Sequence, residues 1–442
     1  MRFSRLPLAL LAALALTPTA IRAQDPPPPD GTEVLTRGPV HEAYANAVTT
    51  QPAPGLLAPK QPPDPIEELP PDEKPAGDNV QWIPGYWAWD DDKQDFLWVS
   101  GFWRVPPPDR TWVPGAWRDV GNGQWQWTGG FWNSAVTQAD LQYLPPPPAP
   151  IEAAPPPQPG PDYVYAPGNW VYHETRYVWR PGFWYAYRPG WVYVPAHYVW
   201  TPYGCIFVDG YWDYPLRQRG VLFTPVYFSA VVYRRPGFVY TPRYVVYDDA
   251  LYGALFVRPG GGYYFGDYFE ARYTALGYRS WFSISIGFGA RDPYPYRYDP
   301  LFAYYRHANG PSWALQVNNL YVERARYPDR RPPRTLVQQT VVVNNITKNT
   351  TVINNNTTVN NVKNVTMVAP VTNVDKSVVN LTKITPQQQQ AAAQTARETR
   401  QVAAKRVQAE SALAATAGRP GAPAAPRTVK LDLPKPPPAA AA

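Results

Sequence analysis

Four copies of a tryptophan motif decide the fold of this chain: WIPGYW at 82–87, WVSGFW at 98–103, WVPGAW at 112–117 and WTGGFW at 127–132. Their first residues are 16, 14 and 15 positions apart, and every copy has Trp at both ends and Gly at its fourth position. Such regular self-similarity indicates a repeat architecture. Turn clusters separate the copies at 90–93, 106–109 and 121–123. One chain reversal per repeat is therefore predicted.

Each copy predicts a β-strand of about ten residues that is kinked at its Gly. Rings at the first and sixth positions of the motif would fall on opposite faces of a regular strand, and a Gly-centred bulge returns them to one face. We attribute the Gly to backbone dihedral angles that other residues disfavour. The expected arrangement is an antiparallel meander in which Trp rings from neighbouring strands stack in rows.

A second block repeats the motif more loosely, at 165–170, 179–184, 193–198 and 207–212. Tyr or Phe replaces several of its Trp residues, and Ala196 stands where Gly is expected. The two blocks predict two related modules of different regularity. Their structural glycines are Gly85, Gly101, Gly115, Gly130, Gly168, Gly182 and Gly210.

The rest of the chain is rich in chain breakers, with 57 Pro and 30 Gly among 442 residues. This composition argues against a uniformly packed enzyme, whereas 15% aromatic residues require part of the chain to fold. The expected fold class is mainly β, with two aromatic antiparallel β-repeat modules, a small α+β region, and long disordered linkers and a tail. The predicted segments are a signal peptide (1–23), a Pro-rich acidic linker (24–78), the first repeat module (79–134), a Pro-rich linker (135–161), the degenerate Arg-rich repeat module (162–262), the α+β region (263–334), an Asn/Thr-rich low-complexity tract (335–385), a Gln/Ala-rich helix (386–417) and a Pro/Ala-rich tail (418–442).

The N-terminus predicts export. Arg2 and Arg5 precede an apolar run over 6–16, and Ala23 supplies a small residue at a cleavage position before Gln24. The run is too short to cross a membrane, and no later stretch is long and apolar enough to do so as a helix. We therefore expect a mature chain without a helical membrane span that is periplasmic, associated with the outer membrane or at the cell surface.

The repeated W-x-x-G-x-W, preceded by a signal peptide and a Pro-rich stretch, resembles the bacterial YXWGXW (WXXGXW) repeat family of exported proteins. The match is strong over 82–132 and looser over 165–212, and together these cover about a quarter of the chain. The resemblance implies a secreted or envelope protein of uncharacterised function and brings no catalytic residues with it.

The net charge of +7 hides an asymmetry. Residues 24–162 carry 7 Lys and Arg against 19 Asp and Glu, whereas residues 163–334 carry 19 Arg, no Lys and 11 acidic residues. Arg residues among Tyr and Trp can form bidentate contacts to carboxylate or phosphate. Alternatively, their long side chains cover an aromatic sheet and keep it soluble. Candidate polyanion-binding residues are Arg176, Arg180, Arg188, Arg234, Arg235 and Arg243. No nucleic acid is expected as a partner, because an exported chain without a nucleic-acid module has no reason to meet one.

The sequence shows no catalytic motif and predicts no enzyme, no cofactor and no metal site. Its four His residues have no partners at ligand spacing. The acidic turn at 90–95 is interpreted as a solvated hairpin turn. Cys205, the only cysteine, is interpreted as a small buried hydrophobic residue, with a reactive or intermolecular thiol as the alternative.

The Trp rows allow two interpretations. A module of about 55 residues without disulfides or metal needs large rings to bury enough surface, which makes the rows a small core. Alternatively, one row faces water and stacks on sugar rings. The candidate glycan-stacking residues are Trp82, Trp87, Trp98, Trp103, Trp112, Trp117, Trp127 and Trp132.

Our first functional hypothesis is a non-enzymatic, exported cell-envelope scaffold or interaction protein, whose partners are other envelope proteins or further copies of itself. The alternative is binding of a glycan or anionic envelope polymer (polysaccharide, peptidoglycan or lipopolysaccharide) through the Trp rows and Arg residues. An outer-membrane β-barrel is a further alternative, suggested by Tyr/Val alternation over 163–262 and disfavoured by the Pro content of that region.

Overall fold

The eight motif copies pair two by two into four bent antiparallel hairpins. Hairpin 1 spans 81–104, hairpin 2 spans 110–134, hairpin 3 spans 163–186 and hairpin 4 spans 192–213. In each, the motif Gly interrupts the strand, and the end rings of one copy face those of the other. Trp82 faces Trp103 and Trp87 faces Trp98 in hairpin 1. Each strand is interrupted at its Gly as predicted, but the pairing register continues unchanged across the interruption, so the expected Gly-centred bulge is absent from these hairpins.

The structure, a computed structural model, describes residues 30–48, 51–151, 154–282, 298–349, 363, 365–373, 379–415 and 425–434. These residues are mainly β, as predicted. The hairpin strands are Gln81–Ile83, Tyr86–Asp90, Asp95–Val99 and Phe102–Arg104; Arg110–Val113, Ala116–Gly121, Gln124–Thr128 and Phe131–Ser134; Tyr163–Ala166, Asn169–His173, Arg176–Arg180 and Phe183–Ala186; and Val192–Val194, His197–Thr201, Gly204–Val208 and Tyr211–Asp213.

The connectivity differs from a continuous meander. Among the described residues, strand Phe102–Arg104 pairs with Gly220–Val221 rather than with the next motif copy, and Asp95–Val99 pairs with Val226–Phe228. Distant segments thus cover the hairpin edges. The strands outside the hairpins are Thr32–Val34, Gly38–Pro39, Leu57–Ala58, Glu67–Glu68, Glu73–Pro75, Gln138–Leu144, Gly220–Val221, Val226–Phe228, Val239–Tyr240, Tyr244–Val246, Leu255–Arg258, Gly262–Phe265, Arg279–Ser280, Val368–Pro370, Leu381–Lys383 and Arg427–Asp432.

The segment 24–78, expected as an extended linker, takes part in the core over its described residues. Strand Thr32–Val34 pairs with Val226–Phe228, and Val40, Ala43 and Tyr44 are buried in the largest hydrophobic cluster. A search for hydrophobic periodicity misses such a segment, because the segment docks through backbone groups and isolated side chains rather than through one repeating apolar face. Within the tail expected over 418–442, strand Arg427–Asp432 pairs with Gln138–Leu144.

The described α-helices follow the four hairpins along the chain. They are Ala230–Tyr233, Asp248–Ala254, Ala271–Ala275, Pro300–Asn309, Pro311–Arg326, Leu336–Asn349 and Pro386–Ala415, with single 3₁₀ turns at Leu216–Gln218, Pro328–Arg330 and Val371–Asn373. The first of these α-helices lies within the degenerate module, and the low-complexity tract over 335–385 starts as a helix. Residues 350–362 of that tract, like the signal peptide, lie outside the described residues.

The predicted Gln/Ala-rich helix is present as Pro386–Ala415 and docks on hairpin 2. Its Ala residues offer little apolar surface for packing, and polar contacts hold the helix in place. Arg406 is fully buried; its Nε donates to Glu410 (2.8 Å) and its Nη1 to the carbonyls of Pro114 (2.9 Å) and Gly129 (3.0 Å) of hairpin 2. Arg118 of the same hairpin pairs with Glu410. A buried, hydrogen-bonded ion cluster thus fixes the helix to the motif kinks of hairpin 2.

Candidate functional site

The motif glycines create a tight cradle at each kink. A Cβ on Gly85 would lie 2.8 Å from the amide nitrogen of Gly101 and 2.8 Å from the ring of Trp98, the opposing Trp. None of the seven repeat glycines lies in the left-handed φ region, so our dihedral explanation is wrong. Gly is needed because two backbones and an indole ring approach too closely for a side chain.

The kink of hairpin 1 holds a buried carboxylate. Glu68 accepts hydrogen bonds from the amide of Gly85 (2.9 Å), the amide of Gly101 (3.0 Å) and the indole Nε1 of Trp98 (2.7 Å). The side chain is 1% exposed, and burial raises its pKa although all three donors favour the ionised form. Unlike a neutral acceptor, a carboxylate can accept several short bonds at once. The paired Gly residues and one Trp therefore form a three-donor carboxylate site.

Hairpin 2 repeats this site with a carboxylate from elsewhere in the chain. Glu42 accepts from Trp127 Nε1 (2.6 Å) and from the amide of Gly130 (2.8 Å). Trp127 and Gly130 occupy the motif positions of Trp98 and Gly101. Burial raises the pKa of Glu42 to about 7, opposed by these bonds and by Arg406. The recurrence shows that carboxylate binding follows from the motif geometry rather than from one local sequence.

Pro-rich chain lies over the outer rings of hairpins 1 and 3. Trp87 Nε1 donates to the carbonyl of Asp64 (2.9 Å), and Trp170, at the same motif position, donates to the carbonyl of Ala149 (2.9 Å). Trp184 donates to the carbonyl of Pro156 (3.0 Å). Aromatic rings with an N–H donor are the usual surface on which Pro-rich segments bind. The described parts of the expected linkers are thus held on the aromatic hairpins.

The candidate glycan-stacking residues form core rather than an exposed row. Seven of the eight are buried, from Trp98 at 0% to Trp127 at 6%, and Trp117 is half-buried. Their faces are used by other rings, as in the edge contacts Trp82–Trp103 and Trp87–Trp98. The burial favours the interpretation of the rows as a core over an exposed stacking row, and five of these rings line the cavity described next.

One cavity of about 320 Å³ brings several of these rings to a common space. It lies between the kinks of hairpins 1 and 2, the Pro386–Ala415 helix and the Pro-rich residues 61–65. Trp87, Trp98, Trp112, Trp117 and Trp127 line it, and His41, Glu42 and Arg400 are among its ionisable groups. Gln61 and Asp64, which also line it, are exposed. The cavity can hold a compact, partly apolar molecule.

His41 is held neutral beside this cavity. Its Nδ1 accepts from the amide of Ala43 (3.1 Å), its Nε2 lies 3.1 Å from the carbonyl of Pro84, and its ring contacts those of Tyr86 and Phe102. Burial lowers its pKa to about 4. A neutral ring with one accepting and one donating nitrogen fits both neighbours.

The candidate polyanion-binding Arg residues are exposed and scattered. Arg176 and Arg180 lie on hairpin 3, Arg188 follows it with its guanidinium over Trp212 (4.8 Å), and the other three lie over 234–243. None of the six forms an ion pair within the part of the chain that the structure describes. By contrast, Arg104 is fully buried and binds both oxygens of Asp213 at 2.7 Å.

The remaining residues singled out from the sequence, Cys205 and the possible metal ligands, form no reactive or metal-binding group among the described residues. Cys205 is buried, and burial raises the pKa of its thiol to about 12, as its interpretation as a small hydrophobic residue requires. The described residues contain no group of three His, Cys, Asp or Glu side chains placed to hold a metal ion. Within those same residues, no helix has the length and apolar character needed to cross a membrane.

Sequence reasoning missed Glu42 and Glu68, the residues that occupy the kinks. A signal was present for Glu68, because Asp64-Pro65-Ile66-Glu67-Glu68 and Ala149-Pro150-Ile151-Glu152-Ala153 share Pro-Ile-Glu ahead of corresponding motif copies. That shared run extends the repeat to include the Pro-rich segment.

Comparison with known proteins identifies the hairpins themselves as repeat units, without the Pro-Ile-Glu runs. The WXXGXW repeat family model matches twice, at residues 77–104 and 160–184, which cover hairpin 1 and hairpin 3. No curated protein and no solved structure matches the chain. The chain thus carries two copies of the WXXGXW repeat, each of them one bent hairpin with its paired glycines.

Proposed function

We propose that this protein is a non-enzymatic scaffold or interaction protein of the bacterial cell envelope, built from aromatic hairpins that hold Pro-rich, acidic chain segments. One observation carries the proposal: Trp87 and Trp170, at equivalent positions, each donate an indole N–H to a backbone carbonyl of a Pro-rich segment at 2.9 Å. In this proposal the motif residues bind polypeptide.

The envelope location rests on the sequence. The charged start, the apolar run over 6–16 and Ala23 before Gln24 favour export with cleavage. The partners that fit the proposal are other envelope proteins or further copies of the chain. N-terminal sequencing of protein recovered from the native envelope tests export, with Gln24 as the expected first residue; an intact Met1 would contradict it.

The cavity favours a second candidate function, the binding of a compact glycan unit. Five Trp residues line its 320 Å³, and Arg400 and Glu42 offer polar contacts for hydroxyl groups. Exposed Arg176, Arg180 and Arg188 add positive charge that suits an anionic envelope polymer such as lipopolysaccharide or an acidic polysaccharide.

Extraction of the native envelope separates these functions. A scaffold held by protein contacts is expected to stay in the envelope pellet at 1 M NaCl, since salt screens only exposed charge. A polyanion binder would leave with salt. Release of the wild type by salt, with release of Arg176→Gln/Arg180→Gln/Arg188→Gln at a lower salt concentration, would overturn the scaffold proposal in favour of polymer binding.

A further inference from the structure

The kink of hairpin 3 has the donors of the two carboxylate sites but no acceptor. A Cβ on Gly168 would lie 2.9 Å from the amide nitrogen of Gly182 and 2.5 Å from the ring of Trp179. The corresponding distances are 2.9 and 2.5 Å at Gly115 of hairpin 2 and 2.8 Å to both groups at Gly85 of hairpin 1. The three cradles therefore have the same geometry on the side of the first glycine, whereas beside Gly182 the Tyr165 hydroxyl stands where hairpins 1 and 2 have a Trp ring. Yet within the described residues, no carboxylate reaches the amides of Gly168 and Gly182 or Trp179 Nε1.

The sequence explains the missing acceptor. The Pro-rich segment binds at equivalent points, Asp64 on hairpin 1 and Ala149 on hairpin 3. Four residues further along the chain, hairpin 1 has Glu68, whose carboxylate fills the kink, whereas hairpin 3 has Ala153. In sequence, the residue that corresponds to Glu68 is thus Ala, which has no carboxylate.

This cradle is also reachable from solvent. Pro181 is exposed and Gly182 is half-buried, whereas Gly85 and Gly101 are both buried in hairpin 1. Exposed Arg180 follows Trp179 and adds positive charge. Asn169, next to Gly168, is 8% exposed and its amide Nδ2 has no partner. Unpaired buried donors are costly, which favours an acceptor from outside the site.

We propose that the kink of hairpin 3 is a binding site for a carboxylate on a short aliphatic stem. The amides of Gly168 and Gly182 and the indole N–H of Trp179 bind the carboxylate as their counterparts bind Glu68. The source is either an acidic side chain of another protein or a free small carboxylic acid. The inference goes beyond the scaffold proposal and does not depend on the envelope location.

Hairpin 4 supplies a natural contrast. At the position of Trp179 it has Phe207, which has no N–H, and at the position of Gly168 it has Ala196. The smaller ring leaves room for the methyl group, and the fourth kink loses one of the three donors. Trp179→Phe therefore imitates a variation that the chain itself contains.

The test uses the full chain labelled with ¹⁵N-tryptophan. The indole resonance missing in Trp179→Phe identifies Trp179, and Trp98 serves as the occupied reference. Propionate, which has the stem length of Glu, is expected to shift the Trp179 resonance downfield to saturation and to leave Trp98 unmoved. Propionamide, which has no charge, is expected to cause no shift.

Calorimetry on the same chain measures the loss of the indole donor. Trp179→Phe is expected to weaken propionate binding roughly tenfold, the usual effect of losing one hydrogen bond to a charged group. The Phe ring keeps the kink packed, and an unchanged melting temperature checks this.

Two further arms identify the source and the occupant. A Pro-Ile-Glu-Glu-Leu-Pro peptide that binds at least tenfold tighter than propionate indicates a protein side chain, and equal affinity indicates a small acid. Ala153→Glu is expected to abolish binding by filling the site in cis. The proposal is overturned if propionamide causes a shift equal to that of propionate, or if propionate causes no shift. It is also overturned if the shift appears only in Glu152→Ala, because the Glu152 side chain would then already fill the site. Each result stands whether or not the chain is retained in the envelope.

Discussion

Hairpins 1 and 3 have the same motif, the same paired glycines and the same Pro-Ile-Glu segment, yet one is buried and the other faces solvent. In hairpin 1 the kink is closed by Glu68, and Trp82, Trp87, Trp98 and Trp103 are all buried. In hairpin 3 no carboxylate from the described residues reaches the kink, and Trp170, Trp179 and Trp184 are half-buried. The difference teaches that the motif encodes a bent hairpin with a carboxylate cradle, and that the surrounding chain decides whether the cradle is filled.

The largest expected effect comes from breaking the link between hairpins 1 and 4. Asp213→Ala leaves the fully buried Arg104 without its bidentate partner and also removes the contact to Arg219 (3.2 Å). An uncompensated buried charge costs about 3–5 kcal/mol of unfolding free energy. Urea unfolding measures the loss. Asp209→Ala, at an exposed position of the same hairpin, is the control and should change stability by less than about 0.5 kcal/mol. Equal effects would show that the link is not structural.

The pH dependence of the unfolding free energy should be set in part by His41, which lies against the carbonyl of Pro84 at the kink of hairpin 1. Because the folded-state pKa of His41 is lowered to about 4, the unfolded chain binds more protons between pH 6.5 and 4. Stability conferred by neutral His41 is therefore lost as the pH falls through this window, by up to about 3 kcal/mol.

Glu42, with its pKa raised to about 7, acts in the opposite direction, so the slope is compared between wild type and His41→Gln. The variant should lose less stability on acidification. His173→Gln, in the exposed turn of hairpin 3, should keep the wild-type slope. An identical slope in all three proteins would mean that folding does not lower the pKa of His41.

A smaller effect distinguishes the two outer indoles. Trp87→Phe should cost about 2 kcal/mol of unfolding free energy, because it leaves a gap in a buried cluster and removes the bond to Asp64. Trp170→Phe, which removes the matching bond to Ala149 at a half-buried position, should cost less than about 1 kcal/mol. Similar losses would indicate that both hairpins are equally buried in solution.

The smallest effect is expected from Arg176→Gln, at the exposed turn of hairpin 3. Its guanidinium forms no ion pair among the described residues, so the unfolding free energy should change by less than about 0.5 kcal/mol. A loss above about 1 kcal/mol in thermal unfolding would show that Arg176 has a structural partner.

The sequence predicts the bent strands well, because ring spacing and turn clusters are local features. Which strands pair across the molecule is not local: Val226–Phe228 and Gly220–Val221 complete the sheets of hairpin 1 from more than a hundred residues away. The role of the motif Gly was also out of reach. Its φ is ordinary, and only the crossing of Trp98 over Gly85 shows why a side chain is excluded.

The candidate site was predictable in part. The sequence indicated that the Trp rows form a core, because a small module needs large rings to bury enough apolar surface. The carboxylates did not follow, because Glu42 and Glu68 lie in segments without any hydrophobic period, and their partners are backbone amides that leave no trace in composition. Only alignment of the two Pro-Ile-Glu runs would have identified Glu68.

A reciprocal exchange tests most directly the claim that the WXXGXW kink is a carboxylate site. Glu68→Ala gives hairpin 1 the residue of hairpin 3, leaves three buried donors unpaired, and should lower the unfolding free energy by about 3 kcal/mol. Ala153→Glu gives hairpin 3 the missing acceptor and should raise it by about 1 kcal/mol, whereas Ala154→Glu should not. A neutral Glu68→Ala together with no gain from Ala153→Glu, measured by urea unfolding, would contradict the account.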